Sequence, residues 1–313
     1  MDTFKLLKPI IILYAILWGI ISAVIAYPIN NILFTYFNQY LVTGIAAPII
    51  EETLKFSIVI YMFYKNRLGF LADSLIIGFA VGAGFSLVEN VYYFNQLGEQ
   101  NLMLWIIRGF GTAIMHGTAT GIAAVVSQNF IGKKLKMRLD YLLYGLLSGI
   151  LIHSIFNNFL LSPLLQTLLQ ISLLPIFIIV VFSKSESSLK SWLVEQFDSE
   201  VNLLLMIKKG EFKTTRAGEY LISIKERFPQ EVLVDILGYI KIYLELSIKA
   251  KGILLMKEAG FDVNKDDELK AQIQELKALS KSIGATGLIT LSPILKTNKK
   301  DLWKMNHLFS EIK

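Results

Sequence analysis

Six apolar runs, each about as long as a bilayer is thick, fill the first 182 residues of this 313-residue chain. A helix rising ~1.5 Å per residue needs about 20 apolar residues to cross a hydrocarbon core of ~30 Å. The runs at 9–27, 41–64, 71–94, 102–130, 140–161 and 163–182 have that length. In lipid each backbone N–H and C=O must be satisfied within the protein, so runs of this kind are expected to be helices. The first run follows Lys5 and Lys8 as a secretory signal would. Its length, with five more runs behind it, marks it as an uncleaved first span.

The charges between the runs alternate. Lys5 and Lys8 precede span 1, and Lys65 and Arg67 separate spans 2 and 3. Lys133, Lys134, Lys136 and Arg138 separate spans 4 and 5, and Lys184 follows span 6. The loops at 28–40, 95–101 and 162–163 contain no Lys or Arg. Basic loops are retained in the cytoplasm, so both termini are expected there. Arg108, near the outer end of span 4, reads as a residue snorkelling to headgroups.

Composition breaks after residue 182. The first 182 residues hold 10 Lys/Arg and 7 Asp/Glu, and the remaining 131 hold 21 and 18. Residues 1–182 therefore read as a transmembrane bundle, and 183–313 as a cytoplasmic helical domain. The polar stretch 183–188 reads as a linker. Amphipathic stretches follow at 189–209, 216–228, 230–258 and 266–283, with Leu233, Ile236, Leu237, Ile240 and Leu244 at helical spacing. Asn264 before Asp266, Asp267 and Glu268 has the form of a helix start. No stretch alternates as a strand would. The expected fold class is all-α: a polytopic membrane bundle of about six transmembrane helices, then a cytoplasmic helical domain. That domain suits regulation, assembly or a protein partner, and its one histidine, His307, reads as structural or surface. The net charge of +6 is spread too evenly for a nucleic-acid partner. Without cysteine there is no disulfide, thiolate nucleophile or Cys-bound zinc.

Ionisable groups inside the spans are the informative exceptions, because each costs at least ~2.5–3.5 kcal/mol near the bilayer centre. Span 2 carries Glu51, Glu52 and Lys55; span 3 carries Phe85, Glu89 and Asn90; span 4 carries His116; span 5 carries His153 and Asn157. Counted from the outer end of each span, Glu89 lies about 8 Å deep, His153 about 12 Å, Glu51 about 15 Å and His116 about 17–21 Å. Four spans thus bring polar groups to one slab. The same spans 3 to 5 carry the close-approach pairs Gly78/Gly82, Gly117/Gly121 and Gly145/Gly149.

The residue types suit water activation. Glu51 and Lys55 stand i, i+4 and are expected to pair, while Glu52 lies about 100° round the helix. A buried carboxylate can act as general base and then as acid. His116 shares a face with Thr120, and His153 with Asn157, offering hydrogen bonds to a water or a developing oxyanion. No G-x-S-x-G is present, which disfavours a serine mechanism. Glu51, His116 and His153 would also suit a divalent metal such as zinc with one open position. No His-Glu-x-x-His is present, and metal-free glutamate catalysis uses the same residues, so the cofactor is a divalent metal or none.

Over residues 44–160 this pattern resembles the PrsW family of intramembrane proteases, within the superfamily of CAAX-prenyl endopeptidases and bacteriocin-processing enzymes. Glu51-Glu52-x-x-Lys55, Phe85-x-x-x-Glu89-Asn90, His116 and His153-x-x-x-Asn157 are similar to its four motifs, in order on successive spans. The CAAX-type enzymes have Glu-Glu-x-x-x-Arg and a histidine where this chain has Lys55 and Glu89. The resemblance implies an intramembrane endopeptidase of a bacterial plasma membrane, cutting a membrane-anchored protein such as an anti-sigma factor. It implies Glu51, Glu52, His116, His153 and Asn157 as catalytic residues, with Lys55, Phe85, Glu89 and Asn90 supporting them. Two other classes use the same parts, a proton-coupled membrane transporter and a non-catalytic membrane scaffold. Spans 1–3 do not mirror spans 4–6, as the repeats of many carriers would.

Overall fold

The computed structural model describes residues 7–97, 102–131, 138–158, 161–195, 197–258, 261 and 267–295. Contacts divide the chain into two compact units, Met1–Glu186 and Ser187–Lys313. The first is built on α1 (Pro9–Tyr36), α2 (Ala47–Tyr64), α3 (Leu71–Leu97), α4 (Leu102–Ile131), α5 (Leu139–Asn157) and the start of α6 (Pro163–Glu195). Five of these are long and apolar enough to cross a membrane. The exception, α2, has 18 residues and carries Glu51, Glu52 and Lys55. Among the described residues there is no strand, and the protein is an all-α membrane bundle.

Local chemistry explains the helix boundaries and corrects three expectations. The first span does not end at residue 27: α1 runs through Pro28 to Tyr36. A proline removes one hydrogen bond, which membrane helices tolerate where neighbours re-satisfy the backbone. The second span does not begin as one helix at 41. A turn at Gln39–Leu41, capped by Asn38 Oδ1 on the Leu41 N–H at 2.9 Å, leads through a π-helical segment, Val42–Ala46, into α2. The stretch 183–188 is not a linker, because α6 continues through it to Glu195. Lys184 is exposed and Ser185 is buried, its hydroxyl accepting from the Ala72 N–H at 3.4 Å, and neither breaks the helical register.

The start of α3 is held by Asp73, whose Oδ2 accepts from the N–H groups of Gly69 (3.1 Å) and Phe70 (3.0 Å). Gln128 of α4 donates to the Gly69 carbonyl at 2.8 Å. Glycines make the seams between helices. A Cβ on Gly19 would lie 2.0 Å from the Val81 carbonyl oxygen, and one on Gly84 would lie 2.1 Å from that of Ile16, so α1 and α3 meet backbone to backbone. Gly78 and Gly82 do the same for α3 against Thr120 and His116 of α4, and Gly145 for α5 against Ala123. Phe56, Val59, Ile77, Val81, Ala123 and Ala124 fill the centre. Large apolar side chains of α1, α5 and α6 remain exposed, as a lipid-facing rim requires.

The second unit comprises α7 (Phe197–Lys208), α8 (Arg216–Ile224), α9 (Gln230–Glu258), α10 (Asp267–Thr290) and α11 (Ser292–Leu295). The Thr215 hydroxyl caps α8 by accepting from the Gly218 N–H at 3.0 Å. Ile236, Ile240 and Leu244 of α9 pack with Leu269, Ile273 and Leu276 of α10. Gly284, at φ 72°, breaks α10 in a conformation that favours glycine. Lys5, Lys133, Lys134, Lys136, Asn264, Asp266 and His307 lie outside the described residues, as does the side chain of Arg108.

Candidate functional site

Glu52 is the centre of a buried polar cluster. It is fully enclosed, and so are Lys55, one turn on, and Thr120 of α4. One oxygen, Oε1, accepts from the Lys55 ammonium and from His153 Nδ1 (2.9 Å); the other, Oε2, accepts from the Thr120 hydroxyl (2.9 Å). The expected Glu51–Lys55 pair does not form. Lys55 turns to Glu52 at i, i+3, where the ion pair is shut off from solvent. Its ammonium also lies 2.9 Å from His116 Nδ1 and 4.6 Å from the centre of the Phe85 ring.

Around this anchor the remaining groups occupy defined positions. His116 Nε2 meets Glu89 Oε2 at 2.5 Å, so α3 and α4 are joined across the site. The rings of His116 and His153 pack edge to face at 4.7 Å, and Phe85 covers His116 at 4.9 Å. Glu51 is the more open carboxylate. Its Oε1 accepts from Asn30 Nδ2 at 2.9 Å, and its Oε2 lies 3.7 Å from His153 Nε2.

Glu51, Glu52, Lys55, Phe85, Glu89, His116 and His153 are therefore gathered in one place. Two predicted residues make their described contacts elsewhere. Asn157 donates to the Thr43 carbonyl at 3.0 Å and Asn90 to that of Gly109 at 2.9 Å. Asn158, beside Asn157, donates to the Gly44 carbonyl at 3.1 Å. Both carbonyls belong to the π-helical segment, where the wider turn loosens the usual backbone pairing. Sequence reasoning overlooked Asn30, because 28–40 read as a loop. The amide pair Asn30-Asn31 follows Pro28 there, a composition that a loop would also have.

The site's fitness for metal can be tested on its donors. Glu51, His116 and His153 each offer a ligand atom, and these lie within 4.8 Å of one another. One carboxylate and two imidazoles form a donor set typical of catalytic zinc. His153 already has the outer support such ligands need, because Glu52 holds its Nδ1 and leaves Nε2 directed at Glu51. His116 Nε2 is occupied by Glu89, a contact that ligation would replace. The residues fit a divalent ion.

Paired carboxylates and imidazoles thus lie together, enclosed by the apolar helices of a membrane protein. The family described as PrsW family intramembrane metalloprotease matches residues 8–183, more than half of the chain, and the chain belongs to that family. It is a membrane protease. Neither the curated proteins nor the solved structures include a match to the chain.

Proposed function

We propose that the protein is an endopeptidase that cuts a membrane-anchored protein, with Glu51 as general base. The observation that carries this assignment is the unequal state of the two glutamates. Glu52 already accepts three hydrogen bonds, whereas Glu51 accepts one from Asn30 and turns its other oxygen towards His153. A saturated carboxylate is a scaffold; an open one can take a proton.

In this reading Glu51 takes a proton from the attacking water and returns it to the leaving nitrogen. Glu52 fixes the His153 ring through Nδ1, and Lys55 balances the Glu52 charge. His116 and His153 position the water, while Glu89 and Phe85 line the site and Asn90 supports it from outside through the Gly109 carbonyl. Asn157 spends one amide hydrogen on Thr43 and has a second for the oxyanion. In a metal-bound form, the alternative to Glu51 acting as free base, Glu51, His116 and His153 would hold a divalent ion, which would supply Lewis-acid polarisation of the scissile carbonyl. Residues 1–182 form the proteolytic bundle, with both termini in the cytoplasm of a bacterial cell. Residues 183–313 form a cytoplasmic helical domain for regulation or partner binding. The substrate class suggested by the resemblance is anti-sigma-factor-like.

The test is comparative membrane proteomics of wild type against Glu51→Gln, with a chelator arm on isolated membranes. A membrane-anchored protein accumulating uncut in the variant, at unchanged expression of the protease, is the expected result. Cleavage at the wild-type rate in Glu51→Gln would overturn the glutamate mechanism. A chelator that stops cleavage, with zinc restoring it, would assign the metal form.

A further inference from the structure

The last two turns of α1 reach the site. Helix α1 is held to α3 at the Gly19 and Gly84 seams, and Tyr27 meets Tyr92 edge to face at 5.2 Å. Trp18 ties it to α2, its Nε1 lying 3.2 Å from the Leu54 carbonyl and 3.1 Å from Ser57 Oγ. One turn beyond Tyr27, Asn30 donates from Nδ2 to Glu51 Oε1 at 2.9 Å. Its other polar atom, Oδ1, is buried and has no hydrogen-bond partner. With Nδ2 given to Glu51, Oδ1 is the remaining acceptor of the same amide. Buried acceptors are normally filled, and this one belongs to the amide that touches Glu51.

We propose that Asn30 is a water-positioning residue: its N–H orients Glu51 and its Oδ1 accepts a hydrogen bond from the attacking water. The inference rests on the proteolytic reading of the site. The attacking water carries two protons. Glu51 takes one as the water oxygen bonds to the scissile carbonyl carbon, and the second O–H stays donated to Asn30 Oδ1. The C–N bond then breaks, Glu51 returns its proton to the departing amine, and the acyl half leaves as the carboxylic acid. Asn30 itself exchanges no proton. It fixes which lone pair of the water faces the carbonyl, an orientation that counts in the transition state and little in substrate binding.

The experiment uses full-length protease in liposomes, with the protein that accumulates uncut in the Glu51→Gln strain as probe. In Asn30→Leu, kcat falls about 100-fold with KM within about twofold of wild type. Asn30→Gln, which keeps both polar groups, recovers at least a tenth of the wild-type kcat. Unfolding midpoints in detergent stay together for all three proteins. A kcat for Asn30→Leu within twofold of wild type overturns the inference and leaves the proteolytic reading intact. Equal losses of kcat and midpoint in both variants overturn it as well, because they mean a packing role. Absence of cleavage by the wild type overturns both readings together.

Discussion

Lys55→Met isolates what the buried ion pair does. Lys55 and Glu52 are both fully enclosed, and their contact is direct. Methionine matches the aliphatic stem and leaves Glu52 with two neutral donors, His153 Nδ1 and the Thr120 hydroxyl. An uncompensated buried charge of this kind destabilises by about 3–5 kcal/mol, a large part of the ~5–15 kcal/mol that holds a typical domain folded. His116 Nδ1 loses its donor at the same time, so the loss should sit towards the upper end. Removing the charge from both sides, in Glu52→Gln/Lys55→Met, should return most of that stability, because replacing a whole buried pair is often close to neutral. Denaturant unfolding in detergent micelles, followed by circular dichroism, reads all four proteins of the cycle. The double variant folds near wild type yet cleaves slowly, since a neutral amide holds His153 less firmly than a carboxylate. A Lys55→Met loss below about 1 kcal/mol, or a double variant no better than the sum of the singles, would refute the account.

Two further predictions use the seams and the second unit. A Cβ on Gly82 would sit 2.1 Å from the His116 carbonyl oxygen, so Gly82→Ala must part α3 and α4 by about 1 Å. The expected result is a loss of about 1–3 kcal/mol and a fall in cleavage approaching 100-fold, whereas Gly109→Ala, with nothing within 4 Å, stays within about 0.5 kcal/mol; equal behaviour would remove the seam argument. In the second unit, Lys251 is fully buried 3.1 Å from Glu200, which also accepts from Ser247 at 2.9 Å. Lys251→Met should therefore raise hydrogen exchange along α7 and α9, while Lys208→Met, at a pair that is half exposed, should change nothing measurable.

The membrane helices were legible because lipid imposes one rule on every backbone group, and that rule needs only length and polarity. What length and polarity could not supply was the path of the chain between spans. Nothing in 28–36 distinguishes an extramembrane loop from a helix that keeps going, because Pro28 is compatible with either. That ambiguity hid Asn30 from the reading of the site. The π-helical segment at Val42–Ala46 has no sequence signature, and its carbonyls were satisfied by Asn157 and Asn158 from more than a hundred residues away. In the same way, the serines with Lys184 and Glu186 at 183–188 suggest a linker, although none of these residues stops a helix.

The clearest case is the choice of partner for Lys55. Spacing alone offers two acids, Glu51 at i−4 and Glu52 at i−3, and both registers are compatible with a helix. Tertiary context decides between them. Thr120 from α4 and His153 from α5 both reach the Glu52 side of α2, so that side already has two donors for a carboxylate. A charge desolvated there gains more from the ammonium than Glu51 would on the side facing Asn30. Once Lys55 is committed to Glu52, Glu51 keeps an oxygen free of close donors. Adjacent residues of one type thus acquire different work because they differ by about 100° of helix rotation, and that rotation presents them to different neighbours.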